Sequence, residues 1–143
     1  MNDNKDKNIK EIVVEASTER LREVLGFIEG CLEEAGCSMK TQMQIAVAVE
    51  EIFVNIALYA YAPKTGTATV RIEISGEPAE AAVTFIDRGV PYDPLKKPDP
   101  DVTLSAKDRQ IGGLGIYMVK KSMDDMRYEY KDGQNVLTIR KKL

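Results

Sequence analysis

Two long segments of the chain repeat apolar residues every three or four positions, which is the period of an amphipathic α-helix. The first covers residues 18–35, and Gly36 is placed to end it. The second covers residues 39–61, and Ser38 is a candidate N-cap for it. A shorter third helix is predicted from about residue 116 to residue 122. The apolar stripe of the second helix consists of Ile45, Val49, Ile52, Ile56 and Ala60.

Other segments alternate apolar and polar residues, which is typical of half-buried strands. They lie at about residues 12–16, 68–74, 81–86, 126–130 and 137–139. The dipeptide Asp132-Gly133 separates the last two and is a strong hairpin-turn motif. The order β-α-α-β-β-α-β-β predicts an α+β fold, a two-layer sandwich with helices on one face of a mixed, mostly antiparallel sheet.

One segment breaks the periodic pattern between residues 91 and 111. Four prolines stand there among polar residues, at Pro91, Pro94, Pro98 and Pro100. A long exposed loop is predicted, and loops of this length are usually functional or disordered. The polar residues 1–8 are expected to form a flexible terminus. A chain of 143 residues can bury one core, so residues 1–143 are expected to form a single domain.

Composition narrows the function classes. The net charge of −3 and the pI near 5.1 argue against direct binding to nucleic acid, which usually needs a basic excess. No apolar stretch approaches the roughly 20 residues that span a bilayer, so no membrane association is expected. The first ten residues lack the apolar region of a signal peptide. We therefore expect a cytoplasmic protein in which Cys31 and Cys37 stay reduced.

The sequence contains no histidine. This excludes a Ser-His-Asp triad, a histidine-ligated metal site and a phosphoaccepting histidine within this sequence. Any catalysis must come from carboxylates, hydroxyls, basic side chains, backbone amides or a cation bound by oxygen atoms.

The second predicted helix carries a carboxylate and an amide one turn apart. Glu51 and Asn55 stand at i and i+4, so they share a helix face beside the apolar stripe. Glu50 is five residues before Asn55 and points away from it. An amide oxygen is a suitable ligand for Mg²⁺. Taken alone, the pair is more typical of a solvated helix face than of a site.

Two further motifs follow along the chain. Asp87-Arg88-Gly89 ends a predicted strand, where a carboxylate can accept a hydrogen bond from an exocyclic amine and glycine permits close approach of a flat ring. Gly112-Gly113-Leu114-Gly115 opens the third helix, where exposed N–H groups and the helix dipole favour phosphate. Each motif alone is weak evidence, since the first is an ordinary strand end and the second an ordinary glycine turn.

The order of the three motifs is more specific than any one of them. Glu-x-x-x-Asn on a helix, Asp-x-Gly after a strand, a long loop and then Gly-Leu-Gly resembles the Bergerat-fold (GHKL) ATPases over roughly residues 40–141. The segments "EEIFVNIALYAY", "DRGVPYDP" and "GGLGIYMVK" look like the N, G1 and G2 boxes of that superfamily. The form of the G1 box and the late "QNVLTIRK" are most similar to the anti-sigma-factor serine/threonine kinase branch.

The resemblance implies roles for the motif residues. Asn55 would bind Mg²⁺, and Glu51 would be the general base. Asp87 would bind the adenine amine, and Gly89 would let the ring lie close. The residues implied to hinge an ATP lid over 93–111 and to bind the phosphates are Gly112, Gly113, Leu114 and Gly115. Thr138 is implied to hydrogen-bond near the adenine.

Two positions depart from the family pattern. Many Bergerat domains have a second glycine where this chain has Pro91, which argues against the histidine-kinase branch more than against nucleotide binding. Some anti-sigma kinases carry histidine four residues after the metal-binding asparagine, where this chain has Tyr59. If that position supports phosphate contacts, turnover would be altered.

The leading hypothesis is an ATP- and Mg²⁺-dependent protein serine/threonine kinase of the anti-sigma-factor type. It would phosphorylate an antagonist protein in a partner-switching circuit, and it could also bind a sigma factor or form a homodimer. The alternative is a non-catalytic binding module that responds to ATP. A third hypothesis is a detached ATP domain of a phosphorelay. The predicted elements include no upstream helix pair for dimerisation, which argues against this hypothesis.

Overall fold

The computed structural model describes residues 7–96 and 113–143. Within them the elements follow the predicted order, and the predicted α+β class is confirmed. The elements are β1 (Lys7–Glu15), α1 (Leu21–Glu34), α2 (Met39–Asn55), β2 (Thr67–Ser75), β3 (Glu80–Asp87), α3 (Gly113–Ser122), β4 (Asp125–Lys131) and β5 (Gln134–Lys142).

The strands form one five-stranded sheet in the order β1-β2-β3-β5-β4. All four pairings are antiparallel, so the expected mixed character is not found in the described sheet. The reason is the position of β5. Strands β3 and β4 run in the same direction, but β5 lies between them and pairs with both. The last hairpin turns at Asp132 and Gly133, whose φ angles of 55° and 75° fit the predicted turn.

Strand β1 begins earlier than the hydrophobic pattern predicts. Lys7 pairs with Ser75 and Asn8 pairs with Ile74, so neither belongs to a flexible terminus. Because these residues have no apolar alternation, their strand character comes from the ladder with β2 and not from their own pattern. The rest of the expected terminus, residues 1–6, lies outside the described residues.

The core lies between the helices and one face of the sheet. Inward positions alternate along β2, β3 and β5 and meet the apolar stripes of α1 and α2. Cys31 and Cys37 are buried in this core as free thiols. The largest fully buried side chains include Ile28, Leu32, Ile45, Ile52, Phe53, Ile72, Phe85 and Ile139.

The ends of the helices follow local rules. Gly36 adopts a φ of 75°, and the Cys37 N–H donates to the Leu32 carbonyl at 3.1 Å, which is a Schellman ending for α1. The Ser38 hydroxyl accepts the Thr41 N–H at 3.3 Å and caps α2. Both predicted helix boundaries are therefore confirmed.

Helix α2 does not continue to residue 61 as an α-helix. It ends at Asn55 and is followed by a π-helical segment, Ile56–Ala60. The wider π turn brings the Ala60 carbonyl to the Val90 N–H at 2.9 Å, and this contact with a distant loop cannot be read from apolar periodicity. Single π turns in α-helices are frequent at functional sites.

The expectation that no segment approaches a membrane span needs correction. The continuous helical segment Met39–Ala60 has 22 residues and a window of mean hydropathy 1.5, which is long and apolar enough to span a bilayer. The sequence pattern did not predict an apolar window of this hydropathy, because Glu50 and Glu51 interrupt the apolar run. Core helices pass the same test, and Val49 and Ile52 of this helix are buried in the core.

Candidate functional site

A cavity of about 330 Å³ opens between the C-terminal end of α2, the loop after β3, α3 and the β4–β5 hairpin. Most of its wall is aliphatic or aromatic. Asn55, Asp87 and Asn135 add polar groups to the wall, and the side chains of Asp87 and Asn135 are hydrogen-bonded to each other. Apolar and aromatic lining includes Ile52, Ile56, Tyr92, Ile116, Tyr128 and Leu137. An apolar pocket with a few convergent polar groups is suited to a flat organic ligand.

Asp87 lies in this cavity at the end of β3 and is 6% exposed. Its Oδ1 accepts the Gly89 N–H at 2.8 Å and the Asn135 Nδ2–H at 2.9 Å. In the described part of the chain, both hydrogen bonds to the carboxylate go to Oδ1. The Oδ2 atom is therefore available to accept a hydrogen bond from a ligand amine.

Asn135 is a site residue that the sequence motifs missed. It is also 6% exposed and lies directly opposite Asp87 in the β3–β5 ladder. A pattern could have found it, because Asn135 begins the inward series that continues with Leu137 and Ile139. A polar residue at the inward position of a strand needs buried partners or a ligand.

Gly89 has a packing role that the sequence motifs did not indicate. A side chain at this position would overlap the backbone carbonyl of Ala60, so the missing Cβ makes room for the π turn. The neighbouring Val90 N–H donates to the same Ala60 carbonyl. Gly89 therefore shapes the cavity by letting the loop after β3 pack against the end of the π turn.

Tyr61 fixes the other side of this loop. Its hydroxyl donates to the Thr67 carbonyl at 2.6 Å and accepts the Arg88 N–H at 2.7 Å. The ring lies against Gly66, where any side chain would overlap it. Tyr61 thus joins the start of β2 to the residue that follows Asp87, a connection that the sequence motifs did not indicate.

Asn55 and Glu51 lie on α2 as the helical phase predicts, but in different surroundings. Asn55, half-buried, is the last residue of α2 and lines the cavity. Glu51 stands one turn earlier, beside the start of α3. Glu50 is exposed and takes no part.

The Glu51 carboxylate lies directly over Gly115. A side chain at residue 115 would overlap both carboxylate oxygens, so this glycine is required for the carboxylate to stay there. The N-terminal end of a helix carries partial positive charge, which favours a carboxylate in this place. The structure therefore brings the first and third sequence motifs into contact.

The glycine motif itself is only partly described. Gly113 is the first residue of α3 and Leu114 the second, so the motif does open a helix as predicted. Gly112 lies outside the described residues, as do positions 97–111 of the expected lid. The described start of that segment forms a short 3₁₀ turn at Pro94–Lys96.

The expectation for Thr138 is not supported by the geometry. Its hydroxyl lies 3.1 Å from that of Thr84. Inward positions of β5 are Asn135, Leu137 and Ile139, and side chains alternate between faces along a strand. Thr138 therefore lies on the sheet face opposite the cavity, and the β5 residues that line the cavity are Asn135 and Leu137.

Tyr128 adds a hydroxyl to the cavity wall, and this hydroxyl donates to Asn135 Oδ1. Burial raises the pKa of Tyr128 above its ordinary value, and the carboxylates of Asp93 and Asp87 add to the increase. A backbone hydrogen bond with Tyr92 opposes it. The hydroxyl therefore stays protonated at neutral pH and can donate its hydrogen bond to Asn135.

The described residues hold no cluster of three or more carboxylate or cysteine side chains that could bind a metal by themselves. Mg²⁺ usually takes one or two protein ligands and completes its shell with water and phosphate oxygens. A single amide oxygen from Asn55, at the wall of a cavity that borders a helix start, fits that mode of binding.

Residues 14–141 match the family described as "Histidine kinase-like ATPase domain". The chain is 26% identical over 102 residues to the serine/threonine-protein kinase BtrW of Bordetella bronchiseptica, covering 71% of each chain. It is 28% identical over 115 residues to the serine-protein kinase RsbW of Listeria monocytogenes, covering 77% of this chain and 72% of that protein. It is 26% identical over 98 residues to an anti-sigma F factor of Clostridium acetobutylicum, covering 68% and 67%.

Among solved structures, the RsbU and RsbW domains of Rv1364c from Mycobacterium tuberculosis share the fold. The TM-score is 0.68 at 19% identity, over 95% of this chain. The match covers 32% of that longer chain, so this chain spans about a third of its length.

Proposed function

We propose that this chain, which belongs to the histidine kinase-like ATPase domain family, is an ATP-dependent serine/threonine protein kinase of the anti-sigma-factor type. It phosphorylates an antagonist protein in a partner-switching circuit and binds a sigma factor. The whole chain acts as one ATP-binding domain. The observation that carries the proposal is the convergence of Asp87, Asn55 and Glu51 around one cavity and the start of α3.

The adenine is bound in the cavity next to Asp87. The ring is enclosed by the aliphatic and aromatic wall, and its exocyclic amine donates to Asp87 Oδ2. Support comes from the hydrogen bonds that occupy Oδ1 and from the volume of about 330 Å³, which is at the lower end of the range for small-ligand sites. A cavity of this volume encloses the base and leaves the phosphates outside it.

The phosphates lie at the start of α3, where N–H groups without helical partners and the helix dipole favour anions. Gly113, Leu114 and Gly115 provide backbone N–H groups there, and Gly112 continues the motif. Mg²⁺, when bound, neutralises charge on the phosphate oxygens. Asn55 is the protein ligand of this Mg²⁺ and binds it through the side-chain amide oxygen.

Glu51 acts as the general base. The acceptor Ser or Thr hydroxyl loses its proton to the Glu51 carboxylate as its oxygen forms a bond to the γ-phosphorus. The bond between that phosphorus and the β–γ bridging oxygen breaks, and ADP leaves. Positioning and charge stabilisation supply most of the rate enhancement in such transfers. The contact with Gly115 supports this role, because it holds the carboxylate beside the predicted phosphate site.

The proposal extends to location and assembly. The protein acts in the cytoplasm, where the buried free thiols Cys31 and Cys37 stay reduced. A homodimer would use the edge strand β1, where Ile9 and Val13 are 44% and 59% exposed. Size-exclusion chromatography with light scattering tests the homodimer independently of the kinase function. A monomer at all concentrations would contradict the proposed dimer.

Transfer of labelled γ-phosphate from ATP to candidate antagonist proteins tests the kinase function. Wild type should label a Ser or Thr of the antagonist. Glu51→Ala should lower the transfer rate by roughly 10²–10⁴ and keep ATP binding. Glu50→Ala is the matched control, because Glu50 is adjacent but exposed, and it should transfer normally. A wild type that binds ATP but labels no acceptor would instead be an ATP-responsive binding module.

A further inference from the structure

The side chain of Asn135 uses its full hydrogen-bonding capacity inside the protein. Its Nδ2 donates to Asp87 Oδ1 and to the Val90 carbonyl, both at 2.9 Å. Its Oδ1 accepts the Tyr92 N–H at 3.1 Å and the Tyr128 hydroxyl. A side-chain amide has two donor hydrogens and two acceptor lone pairs, so this set is complete.

This arrangement defines which way the amide points. The Tyr92 N–H can only donate and the Val90 carbonyl can only accept, so the amide oxygen must face the first and the nitrogen the second. The Tyr128 hydroxyl strengthens the same orientation, because it donates to the amide oxygen. Without that hydroxyl, the amide would keep its backbone partners but lose one of the two donors that hold its oxygen.

The orientation of the amide determines which oxygen of Asp87 has no hydrogen-bond partner among the described residues. Asn135 directs one hydrogen at Asp87 Oδ1, which also accepts the Gly89 N–H. Both groups are 6% exposed, so water competes weakly for these bonds. The carboxylate is thereby held with Oδ2 as the oxygen available to a ligand. The ring edge that Asp87 meets must then present a donor, because a carboxylate only accepts.

We propose that Tyr128 is a positioning residue for base selection: acting through Asn135, it orients Asp87 so that the site selects a purine bearing a 6-amino group. The inference rests on the proposed binding of ATP in this cavity. It deepens that function by assigning the selectivity for the base to a chain of three side chains on three strands, β4, β5 and β3.

Binding of ATP and of purine riboside triphosphate, which lacks only the 6-amino group, tests this assignment. The quantity of interest is the ratio of the two Kd values, measured by calorimetry. Wild type should bind ATP at least about tenfold more tightly than the analogue. Tyr128→Phe should lower this preference about three- to tenfold, mainly by weakening ATP binding. Tyr130→Phe is the matched control on the same strand, 47% exposed, and should keep the wild-type ratio.

A merely structural role for Tyr128 would weaken both nucleotides by the same factor and leave the ratio unchanged, and that result would overturn the inference. Asn135→Ser provides a second variant if Tyr128→Phe does not fold, and it should lower the ratio at least as much. If wild type binds ATP without preferring it to the analogue, the inference fails while the ATP site stands. If wild type binds neither nucleotide, the proposed function fails as well.

Discussion

The two acidic residues of the site differ in what surrounds each carboxylate. Asp87 is buried and held by two N–H donors on one oxygen, which suits a fixed recognition group. Glu51 is half-buried, and its carboxylate rests over the backbone of Gly115. Glu51 thus stands beside the helix start where the phosphates are proposed to bind, while Asp87 stands in the cavity. This separation is what one expects if one residue recognises the base and the other takes a proton.

The substitution Gly115→Ala tests the position of Glu51. The new methyl group would overlap the Glu51 carboxylate, which is the flexible end of a side chain and can move away. We expect phosphoryl transfer to fall by roughly 10–100-fold, because a displaced general base loses much of its effect. The free energy of unfolding should change by less than about 1 kcal/mol, since alanine is a better helix former than glycine.

The measurement is the transfer rate at saturating ATP, with urea unfolding on the same sample. The double variant Gly115→Ala with Glu51→Ala should be no slower than Glu51→Ala alone, because the two changes act on one group. Additive losses would show that Gly115 contributes something other than room for the carboxylate.

Among the elements, α1 carries two glycines inside a helix, Gly26 and Gly30. A side chain at either position would meet no atom within 4 Å, so neither glycine is required by packing in the described structure. Glycine inside a helix costs about 0.8–1 kcal/mol relative to alanine. Helix α1 is therefore less stable than its length would allow.

Gly30→Ala should stabilise the protein by about 0.5–1 kcal/mol and raise Tm by a few degrees. The reason is that the methyl group reduces the freedom of the unfolded chain without a clash in the helix. Thermal unfolding followed by circular dichroism measures the shift. Gly36→Ala is a control with the opposite expected sign. Because Gly36 has a φ of 75°, this variant should lose about 1 kcal/mol of unfolding free energy. A decrease in Tm for Gly30→Ala would mean that α1 is packed differently.

At the level of elements, much of the fold follows from sequence. The apolar stripe of α2, the Ser38 cap, the Gly36 ending and the hairpin at Asp132 each follow from local chemistry. The π turn does not, because it is held by a contact between Ala60 and Val90, which are far apart in sequence. Local patterns predict elements well and the contacts between distant elements poorly.

Local sequence patterns predict the candidate site to the same limited extent. Glu51 and Asn55 could be placed on one side of α2 because helical phase is fixed by the backbone. The difference between Thr138 and Asn135 depends on which face of β5 points inward, and an odd shift in position moves a side chain to the other face. Asp87 and Asn135 are 48 residues apart and meet through the β3–β5 register, which no local pattern in the chain specifies.

For the whole molecule, buried thiols link stability to pH. Cys31 is 7% exposed and Cys37 is 9% exposed, and burial raises the pKa of each thiol above its ordinary value. Near Cys31, Lys10 partly opposes this effect. In the unfolded chain the thiols titrate near pH 8.5. Above that pH, the folded state holds more protons than the unfolded state, so stability falls as pH rises.

We therefore expect the free energy of unfolding to be constant near neutral pH and to decrease as the pH rises above about 8.5. Urea unfolding at closely spaced pH values, under reducing conditions, measures this change. The variant Cys31→Ala starts from a lower stability because it leaves a cavity, but it should lose less of that stability over the same pH range. Equal slopes for the two proteins would contradict the assignment to Cys31.

In the proposed function, the cavity between α2, the loop after β3, α3 and the β4–β5 hairpin binds ATP through Asp87 and its metal through Asn55. Calorimetric titration of ATP with and without Mg²⁺ tests it most directly. Asp87→Ala should raise the Kd of ATP at least about 100-fold, and Asn55→Ala should bind ATP with little dependence on Mg²⁺. Asp125→Ala, which changes a carboxylate paired with Arg127 on β4, should behave as wild type. Normal, Mg²⁺-dependent ATP binding by both Asp87→Ala and Asn55→Ala would show that this cavity is not the ATP site.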